Sequence, residues 1–407
     1  MASDLIDPDP DFDPRDPHQR YGDSLRHRIL SGEWPPGTRI PNRVDLRDEY
    51  QTSLATIQKS LDLLKRDGFV RPRGRAGTYV RKRLPHCYRI ALASGQARQA
   101  GREISRMYRA VDVEAERINA EGRWHLVRYH GLADPHGAGA RRLAEDLTHD
   151  CLAGVFLVGL DLVSLKEAGV LDHLNVPAMA LATSAGQLGI PQIKLPDYLD
   201  KAVKYLISQK RKRVGFVNSV LRYHSPDLCA AALEAGGLET DPYRFVSAYP
   251  SETNALRVAV YHMMRQPKAR RPDALVVTDD HMVEPVTKAV QDAGVEAPRD
   301  VLILAHCNYP LPPPHAVPVT CIGFDLGEML ERVVRQLAPH PETGERPQGR
   351  LPDIAMEPRL GHELPADRQI RQQITPLDPP PIQLKPLPAD VLVGVAADDS
   401  SSESGSD

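Results

Sequence analysis

The stretch from Thr52 to Val80, TSLATIQKSLDLLKRDGFVRPRGRAGTYV, constrains this chain more than any other. Ile57, Leu61 and Leu64 fall at i, i+4 and i+7, which predicts a helix with one apolar face starting near Ser53. Thr52 or Ser53 suits its N-cap, because a hydroxyl oxygen there accepts an N–H that the first turn leaves free. Thr56, Gln58 and Lys59 occupy the polar face. Gly68 stands where a left-handed residue closes a helix, and Phe69-Val70 begin a strand. Arg71, Arg73 and Arg75 then line a turn before Thr78-Tyr79-Val80 bring the chain back. A helix with a polar outer face beside a basic two-stranded hairpin suits a duplex polyanion.

The charge of the chain supports that assignment. Between Arg20 and Arg83 stand fifteen Lys/Arg and seven Asp/Glu, a balance of +8, while the whole chain carries −3. Residues 1–19 carry −5, the segment from Pro365 onward −4, and the large middle region about −2. Only the basic module is therefore expected to meet a polyanion. A length of 407 residues exceeds one ordinary core and predicts two folded domains. Cys87, Cys151, Cys229, Cys307 and Cys321 are far apart with no C-x-x-C pair, which argues against a disulfide framework and a zinc site. No apolar run approaches the roughly 20 residues that span a bilayer, and the N-terminus is acidic, so no membrane association and a cytoplasmic location are expected.

In chain order, residues 1–19 repeat Asp-Pro steps and predict a disordered acidic segment. Leu25, Ile29 and Leu30 mark a first helix over Tyr21–Ser31, which stops at Gly32 before the rigid Trp34-Pro35-Pro36-Gly37 turn. A second helix is expected from about Arg43 to Tyr50. Helix, helix, turn, helix and wing is the order of a winged helix-turn-helix, assigned to residues 20–83.

Residues 21–80 resemble the DNA-binding domain of the GntR family of bacterial transcription regulators. The resemblance rests on Ile29-Leu30-Ser31-Gly32, Pro36-Gly37, Pro41, Leu46, Tyr50, Ser53, Thr56-Ile57, Leu61, Leu64, Asp67-Gly68-Phe69-Val70 and Gly77-Thr78-Tyr79-Val80. It implies that Arg43, Ser53, Leu54, Thr56, Gln58, Lys59, Arg73, Arg75, Gly77 and Thr78 face double-stranded DNA. The departures sit where DNA is touched. Asn42-Arg43 follow Pro41 where the family has Ser-Glu, and Leu54 and Gln58 replace two family arginines of the recognition helix. Arginine is the usual bidentate reader of guanine, whereas Gln58 suits an adenine edge and Leu54 a thymine methyl. Lys59, Arg43 and the wing arginines remain for phosphate contacts, which fix register rather than sequence.

From Tyr88 onward short apolar strands alternate with helices, so the fold class expected is α/β, with parallel sheets covered on both faces. Strands are expected at Arg89–Ser94, His125–Gly131, Gly154–Gly159 and Val176–Thr183, then at Arg213–Ser219, Tyr243–Ala248, Ala274–Thr278 and Val301–Ala305. Helices are expected between them, among them one of about twenty residues ending at Glu121-Gly122 and one over Asp161–Leu174. Two such runs within 88–362 predict two lobes. This region resembles the effector-binding domain of LacI/GalR regulators, a type I periplasmic-binding-protein fold, through Arg211-Lys212-Arg213-Val214-Gly215-Phe216, Pro272-Asp273-Ala274, Thr278-Asp279-Asp280, Ala297-Pro298-Arg299-Asp300-Val301 and Ile322-Gly323-Phe324-Asp325.

Ligands of open parallel sheets bind beyond the carboxyl ends of the strands. Ser94, His130, Asp161, Thr183 and Ser184 are the candidates from the first lobe, and Asn218, Ser219, Arg222, Tyr223, Asp279, Asp280, His306 and Asn308 those from the second. Ser94, Asp161, Arg222, Tyr223, Asp280 and Asn308 are the chosen effector set; Asp280 stands where the family's sugar-binding acid often sits, and Tyr223 offers a flat wall to a sugar ring. The resemblance implies a sugar or a similar small polar molecule as effector, whereas Ala305-His306-Cys307-Asn308 in place of the family's Gly-Phe-Asp points to a ligand other than a common sugar, or to none. No G-x-S-x-G, H-E-x-x-H or Walker motif is present, so neither an enzyme, a cofactor nor a metal is expected. Residues 365–407 are Pro-rich, then acidic and Ser-rich, and predict disorder. The expected protein is a homodimeric, ligand-responsive regulator, most simply a repressor, on a pseudo-palindromic operator. Its alternative is a small-molecule-binding protein whose DNA module has degenerated, and a sugar-processing enzyme on the same lobes is the third.

Overall fold

The computed structural model describes residues 16–95, 105–160, 162–167, 169–181, 189–220, 225–340 and 345–364. The basic module is built from three helices, α1 (Pro17–Leu30), α2 (Arg43–Glu49) and α3 (Leu54–Asp67), and a hairpin of β1 (Val70–Pro72) and β2 (Thr78–Val80). The hairpin is antiparallel, with Arg71 opposite Tyr79. Ser53 caps α3 and Gly68 ends it at φ +91°. Ile57, Leu61 and Leu64 turn inward onto Leu25, Ile29, Leu46, Phe69 and Val80. The first helix starts earlier than expected. Pro17 lies in its opening turn, where the missing N–H costs nothing, so residues 17–19 are helical rather than disordered; residues 1–15 lie outside the described residues.

The first lobe holds β3 (Arg89–Ser94), β4 (His125–Tyr129), β5 (Gly154–Val158) and β6 (Ala178–Leu181). They form one parallel sheet in the order β4-β3-β5-β6. α4 (Arg106–Ala120), α5 (Ala138–Thr148) and the short α6 (Leu162–Glu167) connect them. The small pair β7 (Ile193–Lys194) and β13 (Ile354–Ala355) forms its own parallel ladder, next to β6 through the bridge of Ala180 to Gln192.

The second lobe repeats the winding with β8 (Val214–Ser219), β9 (Phe245–Ala248), β10 (Ala274–Val277) and β11 (Leu302–Tyr309) in the order β9-β8-β10-β11. It is extended by β12 (Thr320–Asp325), parallel to β11, and by the antiparallel β14 (Arg359–Leu360). α7 (Leu199–Ser208), α8 (Pro226–Ala235), α9 (Thr253–Met264) and α10 (Val283–Asp292) cover it. After β12 the chain returns to the first lobe as α11 (Leu326–Leu337), whose Leu337 packs so closely on Gly154 that a Cβ there would come within 2.9 Å of it.

Two expected boundaries move for physical reasons. The helix expected over Asp161–Leu174 stops at Glu167, and Gly169 beyond it takes φ +63°, a left-handed conformation that ends a helix. β11 runs four residues past Ala305, because Asn308 and Tyr309 pair in register with Phe324 and Asp325 of β12. The stretch Ala305-His306-Cys307-Asn308 is therefore strand. α4 begins at Arg106, and residues 96–104 of the expected long helix lie outside the described residues. Among the described residues no helix is long and apolar enough to cross a membrane.

Candidate DNA-facing surface and inter-lobe cleft

The outer face of α3 is assembled from its cap outward. Ser53 Oγ accepts the Thr56 N–H at 3.0 Å and lies 2.8 Å from Thr56 Oγ1, so both expected residues are committed to the helix start. Leu54 is 44% exposed, an apolar side chain of this size left in solvent at the tip of the face. Asn42 caps α2 with a reciprocal contact to Asp45, which fixes Arg43 in the first turn. From there Arg43 Nη1 donates to Gln58 Oε1 at 2.7 Å, and Gln58 Nε2 donates to Asp62 Oδ1 at 3.0 Å. Lys59 is exposed beside them.

The wing closes through the Arg73 N–H to the Gly77 carbonyl, 2.8 Å. The Arg73 guanidinium lies 4.4 Å from the Tyr79 ring centroid, and Arg75 is exposed. Gly77 has φ +99°, which calls for glycine; a Cβ there would also stand 2.7 Å from Arg39 Nε and displace that guanidinium. A concavity of about 370 Å³ separates α3 from the wing, lined by Arg39, Arg43, Gln58, Asp62, Lys65 and Thr78 among others. Arg39 and Asp62 were not expected. Asp62 was legible as the residue four beyond Gln58 on the same face, whereas Arg39 reaches the wing only through its bridge to Tyr79.

The module is joined to the first lobe through Asp67 in the last turn of α3. Its carboxylate is buried between Arg26 Nη2 at 2.7 Å and Arg66 Nε at 2.9 Å, with His149 Nδ1 of the first lobe 3.4 Å away. Burial pushes this carboxyl up, but His149, Arg66 and Arg26 outweigh it and hold it at about 2. Arg89 of β3 donates to the Asp67 carbonyl at 3.1 Å, and Cys151 of the first lobe is part of the module's core.

In the cleft, Asp280 and Asn308 meet as a pair. Asn308 Nδ2 donates to Asp280 Oδ2 at 2.8 Å, both residues being buried at strand ends. His281 Nδ1 stands 3.1 Å from Asp279 Oδ1 and 3.1 Å from Asp280 Oδ1. Those two carboxylates push the His281 ring up to about 9, so it is charged at neutral pH. Burial raises the Asp280 carboxyl, and His281, His306 and Asn308 together bring it below its ordinary value. Asp279, Asp280 and His281 bring one ligand atom each within 4.8 Å of one another; His281 Nδ1 lies on Asp279 Oδ1, and Asp280 Oδ2 accepts from Asn308.

Across the cleft, Ser94 Oγ meets His130 Nδ1 at 3.0 Å. His306 stacks on Tyr198 with ring centroids 5.3 Å apart. Asn218 and Ser219 are buried, Asn218 against Cys229 Sγ at 3.6 Å. Asp161, Thr183, Ser184, Arg222 and Tyr223 lie outside the described residues. The residue missed in the sequence is Arg106. It opens α4 in the first lobe and donates from Nη2 to the Pro312 carbonyl of the second at 2.6 Å, with Nε 3.7 Å from Asp280 Oδ2. No sequence signal marks it, since its partners stand 174 (Asp280) and 206 (Pro312) residues away and only the crossover topology brings them together.

Comparison with known proteins matches the N-terminal module and the region of the second lobe. Residues 17–80 match the family of bacterial regulatory proteins, gntR family, and residues 203–359 match a periplasmic binding protein-like domain. The uncharacterized HTH-type transcriptional regulator YieP of Escherichia coli (strain K12) is 36% identical over 58 residues, 14% of this chain and 25% of its own. The match thus spans a quarter of that relative's length. The arabinose metabolism transcriptional repressor of Geobacillus stearothermophilus is 20% identical over 355 residues, 82% of this chain and 92% of its own. A regulatory protein of the LacI family from Chloroflexus aggregans shares the fold at TM-score 0.50 and 14% identity, over 67% of this chain and 96% of that one. The chain thus matches the gntR regulatory family over residues 17–80 and a periplasmic binding protein-like domain over residues 203–359, with a fold shared by a LacI-family regulator.

Proposed function

We propose that the chain is a cytoplasmic, ligand-responsive transcription regulator, working as a homodimeric repressor on a pseudo-palindromic operator. The observation that carries this reading is the exposed polar face of α3 beside an arginine-lined wing, on a module of charge +8. In a dimer, α3 of each protomer enters the major groove and the wing follows the adjacent backbone, so half-site spacing follows from the twofold axis. The effector is a sugar or a similar polar molecule held between the lobes, with Asp280 and Asn308 accepting and donating to its hydroxyls. Arg106 ties both lobes beside that pair, so a ligand there acts on the lobe-to-lobe contact that the first lobe passes to α3 through Asp67. The arabinose repressor's alignment over most of both chains supports the repressor reading.

Binding to duplexes from the chain's own promoter region, measured across salt concentrations, tests it. A steep loss of affinity with salt and competition by effector are expected; affinity at the non-specific level throughout would sink it. A second reading, a small-molecule-binding protein with a degenerate DNA module, is favoured by the absence of both recognition-helix arginines at Leu54 and Gln58. It gives ligand stabilisation with no sequence-selective binding.

A further inference from the structure

We infer that Arg43, reaching over from α2, reads a guanine in the operator, and that Gln58 is its positioning residue rather than an adenine reader. The inference rests on the DNA-binding reading above. Gln58 has one amide, and the structure uses both ends of it. Its oxygen accepts Arg43 Nη1 at 2.7 Å and its nitrogen donates to Asp62 Oδ1 at 3.0 Å. An amide that reads adenine must offer a donor and an acceptor to one base edge. Here that requires breaking two hydrogen bonds, one of them to a charged guanidinium.

Arg43 is differently placed. It is exposed, its backbone is fixed by the Asn42 cap, and Gln58 holds its guanidinium on the outer face of α3. Of its five N–H donors, one is used on Gln58, which leaves a fork for the O6 and N7 acceptors of guanine. Asp62 favours a base over a phosphate at this point. A backbone phosphate running past the Arg43–Gln58–Asp62 row would face that exposed carboxylate, whereas the amino group of a cytosine is a donor that a carboxylate accepts. The row thus presents a cationic donor at one end and an anionic acceptor at the other, the polarity of a G·C pair. It restores, from a different helix, the arginine that α3 lacks at 54 and 58.

In vitro site selection with the full chain and its Arg43→Ala, Arg43→Lys and Gln58→Ala variants tests this. Wild type should select guanine at one position of each half-site. Arg43→Ala should relax that position and bind the selected site roughly 5- to 150-fold more weakly. Arg43→Lys should keep the salt dependence and lose the guanine, because the ammonium lacks the fork. Gln58→Ala should relax the same position, and adding it to Arg43→Ala should cost nothing more. All these side chains are outside the core, so unchanged melting temperatures serve as the folding control. Relaxation of a different position by Gln58→Ala would overturn the inference in favour of an adenine-reading glutamine. A uniform loss with Arg43→Ala, with the salt slope lower by about 1 and no change in selected sequence, would overturn it in favour of a phosphate contact. Should wild type itself select no sequence, the regulator reading falls first and this one with it.

Discussion

The two candidate sites of this chain are built on opposite plans. On the module the chemical groups stand exposed or part-exposed on one helix face and one hairpin, and the buried residues beneath them are mostly apolar. In the cleft the chemical groups are themselves buried: Asp279, Asp280, His306 and Asn308 are all at most 5% exposed, and each leans on another charged or polar group. A surface site tolerates substitution of its exposed residues without loss of fold, so its chemistry can vary independently of the core. A buried polar site is coupled to stability, since removing one member leaves another uncompensated. Asp67 belongs to the second kind although it lies at the end of the reading helix.

That contrast is broken most easily at Asp67. Replacing it by alanine leaves Arg26, 4% exposed, with Asp23 as its remaining carboxylate and a buried fork half unmatched, and should destabilise the chain by about 1–3 kcal/mol. Urea unfolding would read this directly; a loss below about 1 kcal/mol would mean that the network is no more than surface charge. Asp280→Asn comes next. It keeps the volume and removes the charge that faces Arg106 and His281. Effector affinity in a titration should fall roughly 5- to 150-fold, the equivalent of an unmatched buried partner, while DNA affinity without effector stays as it was. If both fall together, the two sites are not separable as the comparison claims.

The same contrast explains what the sequence disclosed. The module was legible almost to the residue, because Ile57, Leu61, Leu64 and Gly68 carry local signals of phase and cap. The strand–helix alternation disclosed the first sheet and four strands of the second for the same reason, but not β12 and β14, which follow no such alternation. The Asp280–Asn308 pairing was partly legible, since both residues stand at strand ends of one sheet. Arg106 was not. Its role depends on a contact between lobes that no periodicity encodes. The Arg43–Gln58 link escaped for a lesser reason: the two residues are fifteen apart, and the angle between α2 and α3 decides whether they meet. The early start of α1 was hidden because Asp-Pro steps read as breakers, although a proline in a first turn is compatible with a helix.

A pH titration sharpens the cleft side. His281 has a folded pKa of about 9 against an ordinary 6.5, so its charged form is favoured by folding. Its contribution is full below about pH 6.5 and is lost as pH rises through 9. Wild type should therefore lose melting temperature between pH 6.5 and 9.5 more steeply than His281→Gln, which has no such proton to release. Parallel pH profiles for the two would remove His281 from the network.

The smallest expected effect belongs to Ser53, where the helix cap and the proposed DNA contact would share one atom. Its Oγ accepts the Thr56 N–H, so Ser53→Ala should cost about 1 kcal/mol of stability through the lost cap. Alanine alone cannot tell capping from DNA contact, because both would suffer. Ser53→Asp can. Aspartate caps a helix as well as serine does, and its charge also suits the positive N-terminal end of α3. Stability should therefore remain at or slightly above wild type. The same carboxylate, set on the exposed edge of a face that meets DNA, repels the phosphates and should weaken operator binding, most at low salt where screening is least. An aspartate variant as stable as wild type but poorer in DNA affinity places Ser53 at the interface. Equal affinity would mean that the end of α3 lies clear of the duplex and that contact begins further along the helix, toward Gln58.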